Sequence, residues 1–134
     1  MKPELRFYLP DELGADGYPL PWPELSFQIR ETAEWTCARC RHPHDVESGH
    51  VLTVHHLDGD KANCCWWNLP ALCQRCHLHV QGTVRMDQGW MFEHSEWFKP
   101  YAAAFYAWSK LGENLPPQSV VARLEELLAL GRAA

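Results

Sequence analysis

Residues 54–80 read VHHLDGDKANCCWWNLPALCQRCHLHV, and the pair Cys73/Cys76 within them matches an upstream pair, Cys37/Cys40. Both pairs have C-x2-C spacing, and the first residues of the chain, MKPELRFYLPDELG, lack the apolar core of an export signal. In a chain without such a signal, paired cysteines of this kind bind zinc as thiolates before they form disulfides. The pattern predicts a structural Zn²⁺ site made by the four cysteines, in a cytoplasmic protein.

The sequence around these cysteines predicts an α+β fold. Apolar residues at four-residue spacing favour a helix over 24–35. The β-branched segment 51–55 reads as a strand, and 68–73 as a short or irregular strand returning to the second cysteine pair. Residues 74–81 favour a helix that begins at that pair. The zinc ion would therefore join a helix to the two strands and close the long insert between the pairs.

The flanking regions predict an arm and a helical cover on one compact domain, 1–134. Residues 1–23 contain five prolines and little periodicity, which indicates an extended arm. Residues 96–131 show two helical apolar patterns that end at Gly112 and Gly131. We expect a helical hairpin there that covers the core, with a homodimer or protein-partner face as the alternative. No apolar stretch is long enough for a membrane span.

The formal net charge of −5 argues against tight, autonomous binding to DNA. The charge is unevenly spread, however, because residues 30–85 carry six basic and six acidic side chains and seven of the eight histidines. A local cationic face for DNA is still compatible with this composition. Its candidate residues are Arg39, Arg41, Lys61, Arg75 and Arg85.

Four further polar residues stand at positions where they would converge. His55 and His56 end the first strand, Asn68 begins the returning segment, and His77 follows a zinc cysteine directly. Taken singly, each has an ordinary structural explanation as a hydrogen-bonded or turn residue. Together with C37-A-R-C40 and "CQRCH", the motifs "VHH" and "NL" resemble the HNH endonuclease family with its ββα-metal fold. The resemblance covers residues 35–82.

The resemblance implies a metal-dependent endonuclease or nickase that hydrolyses double-stranded DNA to 5′-phosphate and 3′-hydroxyl ends. It gives His55 and His77 as ligands of a catalytic divalent metal, His56 as the general base, and Asn68 as support for His56. Histidine suits the base because its ordinary pKa near 6.5 leaves the neutral form available at pH 7. The resemblance implies Mg²⁺ or Mn²⁺ as the catalytic ion. Ni²⁺, Co²⁺ or Zn²⁺ are alternatives, because imidazole ligands also bind these ions.

Two other functions fit the same residues. The acidic charge and the long flanks favour a non-catalytic zinc module that binds DNA or protein, or a nuclease subunit active only within a larger phage or restriction complex. A two-Cys, two-His finger and a calcium loop are both excluded by ligand spacing. Cys64 and Cys65 are expected to be buried or loop residues. Trp66 and Trp67 are expected to anchor their loop on the core, with stacking against DNA less favoured.

Overall fold

The computed structural model describes residues 22–59, 64–83 and 96–132. Within these ranges the chain is α+β, with five α-helices and one two-stranded sheet. The predicted arm, 1–23, lies outside them except for Trp22 and Pro23, which belong to the first helix. The elements in chain order are α1 (Trp22–Thr32), β1 (Leu52–Val54), a 3₁₀ turn (Trp66–Asn68), β2 (Ala71–Cys73), α2 (Gln74–Thr83), α3 (Lys99–Leu111), α4 (Pro117–Ala122) and α5 (Leu124–Arg132).

The two strands are antiparallel and shorter than the sequence predicts. Leu52 pairs with Cys73, Thr53 with Leu72, and Val54 with Ala71. Pro70 has no N–H, so it cannot extend the ladder as a donor. Its carbonyl still accepts a hydrogen bond from the His55 N–H at 3.2 Å. The helix α2 follows β2 without a linker, so β1, β2 and α2 form a ββα unit.

Helix α1 ends three residues before the predicted boundary. Glu34 and Trp35 have φ values of 56° and 54°, in the left-handed region that stops an α-helix. The Trp35 N–H donates to the Arg30 carbonyl at 3.0 Å and closes the turn. The Trp35 indole also donates to Glu31 Oε1 at 2.6 Å. These local bonds turn the chain directly into the first cysteine pair.

The C-terminal region contains three helices rather than the predicted two. Gly112 ends α3 with a φ of 69°, as expected for a left-handed C-cap. The second predicted helix is divided at Arg123, which has φ −117° and ψ 25° between α4 and α5. The prediction that Gly131 stops a helix was wrong, because α5 continues through it to Arg132. A Cβ at Gly131 would overlap the Tyr106 ring, so this glycine permits close helix packing.

The loop before β2 is fastened to the C-terminal helices by its two tryptophans. The Trp66 indole donates to the Leu115 carbonyl at 2.7 Å, and the Trp67 indole to Asn114 Oδ1 at 3.2 Å. Their rings also contact Tyr101 and Phe105 on α3. Cys64 and Cys65, just upstream, are buried. Trp66 and Trp67 therefore join the ββα unit to the C-terminal helices.

None of the helices in the described ranges combines the length and apolar character needed to cross a membrane.

Candidate metal centre and histidine site

The four cysteines form a compact cluster. Their Sγ atoms all lie within 4.8 Å of one another, and those of Cys40 and Cys73 are 3.7 Å apart. The first pair occupies the turn after α1, where the Cys40 N–H donates to Cys37 Sγ at 3.5 Å. Cys73 ends β2, and Cys76 lies in the first turn of α2. The Ala38 N–H donates to the Ala71 carbonyl at 2.9 Å, which holds the two halves of the cluster together.

The thiols of this cluster differ in how readily they ionise. Burial opposes the charged form of Cys37, but hydrogen bonds from backbone N–H groups outweigh burial and lower its pKa to about 7. Burial raises the pKa of Cys76 to about 12 and also raises that of Cys40. Without a cation, four thiolates so close together would repel one another. A divalent ion removes that repulsion by binding them as anions.

The donor set and its spacing fit zinc. Four sulfur ligands about 2.3 Å from a tetrahedral ion lie about 3.8 Å from each other. The distance of 3.7 Å between the Sγ atoms of Cys40 and Cys73 agrees with that arrangement. Arg39 Nη1 also lies 3.6 Å from Cys76 Sγ, where its positive charge offsets the negative charge of the thiolates. These four cysteines could hold a zinc ion with every coordination position filled.

A pair of histidines lies beside this cluster. His55 Nδ1 and His77 Nε2 are 3.0 Å apart, and the ring centroids are separated by 4.6 Å at an interplanar angle of 51°. His55 follows β1, and His77 lies in the first turn of α2. The start of that helix therefore carries Cys76 into the cysteine cluster and its neighbour His77 towards His55.

Burial favours the neutral form of both histidines. Burial, followed by repulsion from His77 and His56, lowers the pKa of His55 to about 4. Burial also lowers the pKa of His77. A neutral imidazole keeps one lone pair on a ring nitrogen, which is the form that binds a metal. Both rings are therefore in the chemical state of metal ligands at neutral pH.

His56 packs against the ring of Trp22 on α1. The ring centroids of His56 and Trp22 are 4.9 Å apart with an interplanar angle of 31°. The contact with Trp22 restricts the orientation of the His56 ring.

Asn68 is fully buried and holds the turn that follows His56. Its Oδ1 accepts from the Asp58 N–H at 3.0 Å, and its Nδ2 donates to Asp58 Oδ1 at 2.8 Å. Its carbonyl accepts from the Leu57 N–H at 2.9 Å. Asn68 thereby supports the backbone of the two residues that follow His56.

The cationic residues predicted for DNA do not all have the same surroundings. Arg39 contacts the cysteine cluster, while Arg75 Nη2 donates to the Ser48 carbonyl at 3.2 Å. Arg41 is exposed, with a φ of 66° just after the first cysteine pair. Lys61 and Arg85 lie outside the described residues.

Sequence reasoning missed two side chains at this site. Thr53 Oγ1 lies 2.8 Å from His77 Nδ1, and Asp58 forms the paired bonds with Asn68. Thr53 precedes His55 by two residues in an extended strand, so the two share one face of it. The alternation of side chains along a strand could therefore have predicted that Thr53 lies near His55. Asp58 lies in a turn, where side chains do not alternate in this way.

Comparisons with protein-family models, with curated proteins and with solved structures found no match to this chain.

Proposed function

We propose that this chain is a metal-dependent endonuclease or nickase of the HNH type, acting on the phosphodiester bonds of double-stranded DNA. The observation that carries the proposal is the 3.0 Å approach of His55 Nδ1 to His77 Nε2. These residues are 22 positions apart, and the resemblance gives each of them as a metal ligand. The close approach supports a shared ligand role because His55 is buried, His77 is half-buried, and burial favours the neutral form of both imidazoles.

The two nitrogens lie close enough for one divalent ion to bind both. His55 and His77 would thus hold Mg²⁺ or Mn²⁺, or alternatively Ni²⁺, Co²⁺ or Zn²⁺, with the remaining positions open to water and phosphate. When bound, such an ion would stabilise negative charge on the phosphate and leaving oxygens.

Other residues of the chain accept the proton, orient the base and position the ligands in this proposal. His56 accepts a proton from the attacking water, for which a neutral imidazole is suited. Trp22 limits the rotation of that ring, and Asn68 fixes the turn behind it through Asp58. The four-cysteine cluster fixes the start of α2, from which His77 projects. In this proposal the sulfur site is structural, and the histidine site carries out the reaction.

A plasmid-nicking assay tests the proposal directly. Zinc-loaded protein is incubated with supercoiled plasmid and Mg²⁺ or Mn²⁺, and conversion to the open circle is followed over time. We expect nicking by the wild type and a loss of about 100-fold or more in His56→Ala, as for removal of a general base. His79→Ala is the matched control, because His79 is exposed on α2 only two residues from His77. It should retain activity close to the wild type.

Absence of nicking by folded, zinc-loaded protein with each of the five ions would contradict autonomous nuclease activity. Unchanged nicking in His56→Ala would contradict the assignment of the base. The net charge of −5 favours a second candidate, a nuclease subunit that gains DNA affinity from a partner. Nicking that appears only after a co-purifying partner is added would support that candidate.

A further inference from the structure

We propose that Thr53 is a positioning residue that fixes the tautomer of His77, so that the lone pair of Nε2 faces His55. This role rests on the proposed metal site. Thr53 Oγ1 stands between two polar atoms, the Leu72 carbonyl at 2.7 Å and His77 Nδ1 at 2.8 Å. It therefore links the second strand of the ββα unit to a ring on its helix.

The position of each proton follows from the chemistry of the hydroxyl. A threonine hydroxyl has one hydrogen to donate and lone pairs to accept. That hydrogen is donated to the Leu72 carbonyl. At the contact with His77, Thr53 Oγ1 must then accept, so His77 Nδ1 carries the proton and donates it. In a neutral imidazole the other nitrogen is unprotonated, and His77 Nε2 is thus the atom with a free lone pair.

The resulting geometry directs that lone pair to the proposed ion. His77 Nε2 lies 3.0 Å from His55 Nδ1, on the side of the ring away from Thr53. In the metal-free protein, the proton between the two rings then belongs to His55 Nδ1, which donates it to His77 Nε2. Only His55 has to give up or move a proton when an ion enters. His77 is already prepared to bind.

The position of Thr53 makes the arrangement rigid. Thr53 pairs with Leu72 across the sheet, and Leu72 is fully buried. Thr53 Oγ1 and the Leu72 carbonyl oxygen are only 2.7 Å apart, and two oxygens this close would repel each other without the hydroxyl hydrogen between them. The hydroxyl is therefore not free to rotate and donate to His77. Hydrogen bonds of this kind, from the non-ligating nitrogen of a metal-binding histidine, set its orientation and its basicity.

The first experiment needs only the wild-type protein. Nitrogen-15 NMR of the histidine rings, on zinc-loaded protein with no second ion added, distinguishes the two neutral tautomers. We expect His77 to carry its proton on Nδ1. A His77 with its proton on Nε2 would overturn the proposal, whatever the activity of the protein.

The second experiment compares three variants by calorimetric titration with Ni²⁺, with zinc already in the cysteine cluster. Thr53→Val keeps the shape but removes the hydroxyl, and should weaken Ni²⁺ binding by about 10- to 100-fold. Thr53→Ser restores the hydroxyl and should bind within a few-fold of the wild type. Thr32→Val is the control, because the Thr32 hydroxyl bonds to the Gln28 carbonyl within α1.

The outcomes separate this proposal from the nuclease activity. Weaker Ni²⁺ binding and a mixed His77 tautomer in Thr53→Val support the positioning role even if no nicking is found. Unchanged Ni²⁺ affinity in a folded Thr53→Val would overturn it even if the wild type nicks DNA. An equal loss of affinity in Thr32→Val would also contradict it. If Thr53→Val does not fold, the position of the proton on His77 in the wild type still decides the question.

Discussion

Cys76 and His77 are neighbours on α2, yet they belong to two clusters with different donor chemistry, the cysteine cluster and the histidine pair. The cysteine cluster has four soft donors from two parts of the chain, all within 4.8 Å of one another. The histidine pair has two imidazoles whose nitrogens are 3.0 Å apart. Four sulfurs complete the coordination of zinc, whereas two nitrogens leave most positions of an ion open.

In the proposed function, the first turn of α2 contributes one residue to a structural zinc site and one to a reaction site. Stability requires a closed site, because a closed site binds its ion tightly and joins distant segments. Hydrolysis requires an open site, because water and phosphate must reach the ion. Consecutive residues in the first turn of a helix point in directions about 100° apart. The backbone of α2 can therefore direct one side chain to each site.

The largest expected effect of a single substitution falls on the cysteine cluster. Cys73→Ser replaces a buried zinc ligand, and we expect the zinc content to fall and the protein to lose several kcal/mol of unfolding free energy. Cys64→Ser is the matched control, since Cys64 is equally buried but outside the cluster. It should keep its zinc and lose about 1–3 kcal/mol. Metal analysis measures the zinc content, and urea unfolding measures the stability. Equal losses of zinc in both variants would show that Cys73 is no more important for zinc binding than Cys64.

A smaller and more selective effect is expected at the histidine pair. His77→Ala removes one of two proposed ligands, so Mn²⁺ affinity should fall about 100-fold or more, which corresponds to about 2.7 kcal/mol. The zinc content and the far-UV circular dichroism should stay as in the wild type. Calorimetric titration checks the affinity, with His79→Ala as the neighbouring control. If His77→Ala instead releases zinc, the two sites are not independent.

The last expected effect is a dependence of stability on pH. The pKa of His55 is about 4 in the folded protein, below the ordinary value of 6.5 expected after unfolding. The unfolded chain therefore binds the proton first, and the contribution of His55 is lost as the pH falls from about 6.5 to about 4. For one proton the slope is at most about 1.4 kcal/mol per pH unit.

Urea unfolding of zinc-loaded protein across this pH range measures that slope, with no second ion present. The wild type is compared with His55→Gln, because protonation of the cysteine thiolates changes the unfolding free energy of both proteins in the same way. We expect a shallower slope in the variant. Identical slopes would show that His55 is not held neutral by the fold.

The sequence predicted the components of both sites better than the elements between them. The cysteine spacing predicted the cluster, and the strand–turn–helix order predicted that His55 and His77 would lie together. Both predictions depend on local geometry that zinc chemistry and backbone periodicity restrict strongly. The HNH assignment and its reaction remain predictions, supported by this geometry.

Details that depend on tertiary packing could not be read from the chain. Gly131 looked like a helix stop, but its lack of a side chain makes room for Tyr106 on another helix. No glycine or proline lies at Arg123, so the sequence did not predict the division between α4 and α5. The alternation along the strand relates Thr53 to His55, but its contacts with Leu72 and His77 depend on where those two residues fall in space.

One measurement tests the separation of the two sites most directly. Crystals of zinc-loaded protein are soaked in Mn²⁺, and anomalous scattering is recorded at energies that distinguish the two metals. The account predicts zinc surrounded by Cys37, Cys40, Cys73 and Cys76, and manganese bound to His55 Nδ1 and His77 Nε2 with water in its other positions. Zinc in the sulfur site with no manganese at the histidine pair, under saturating Mn²⁺, would contradict it.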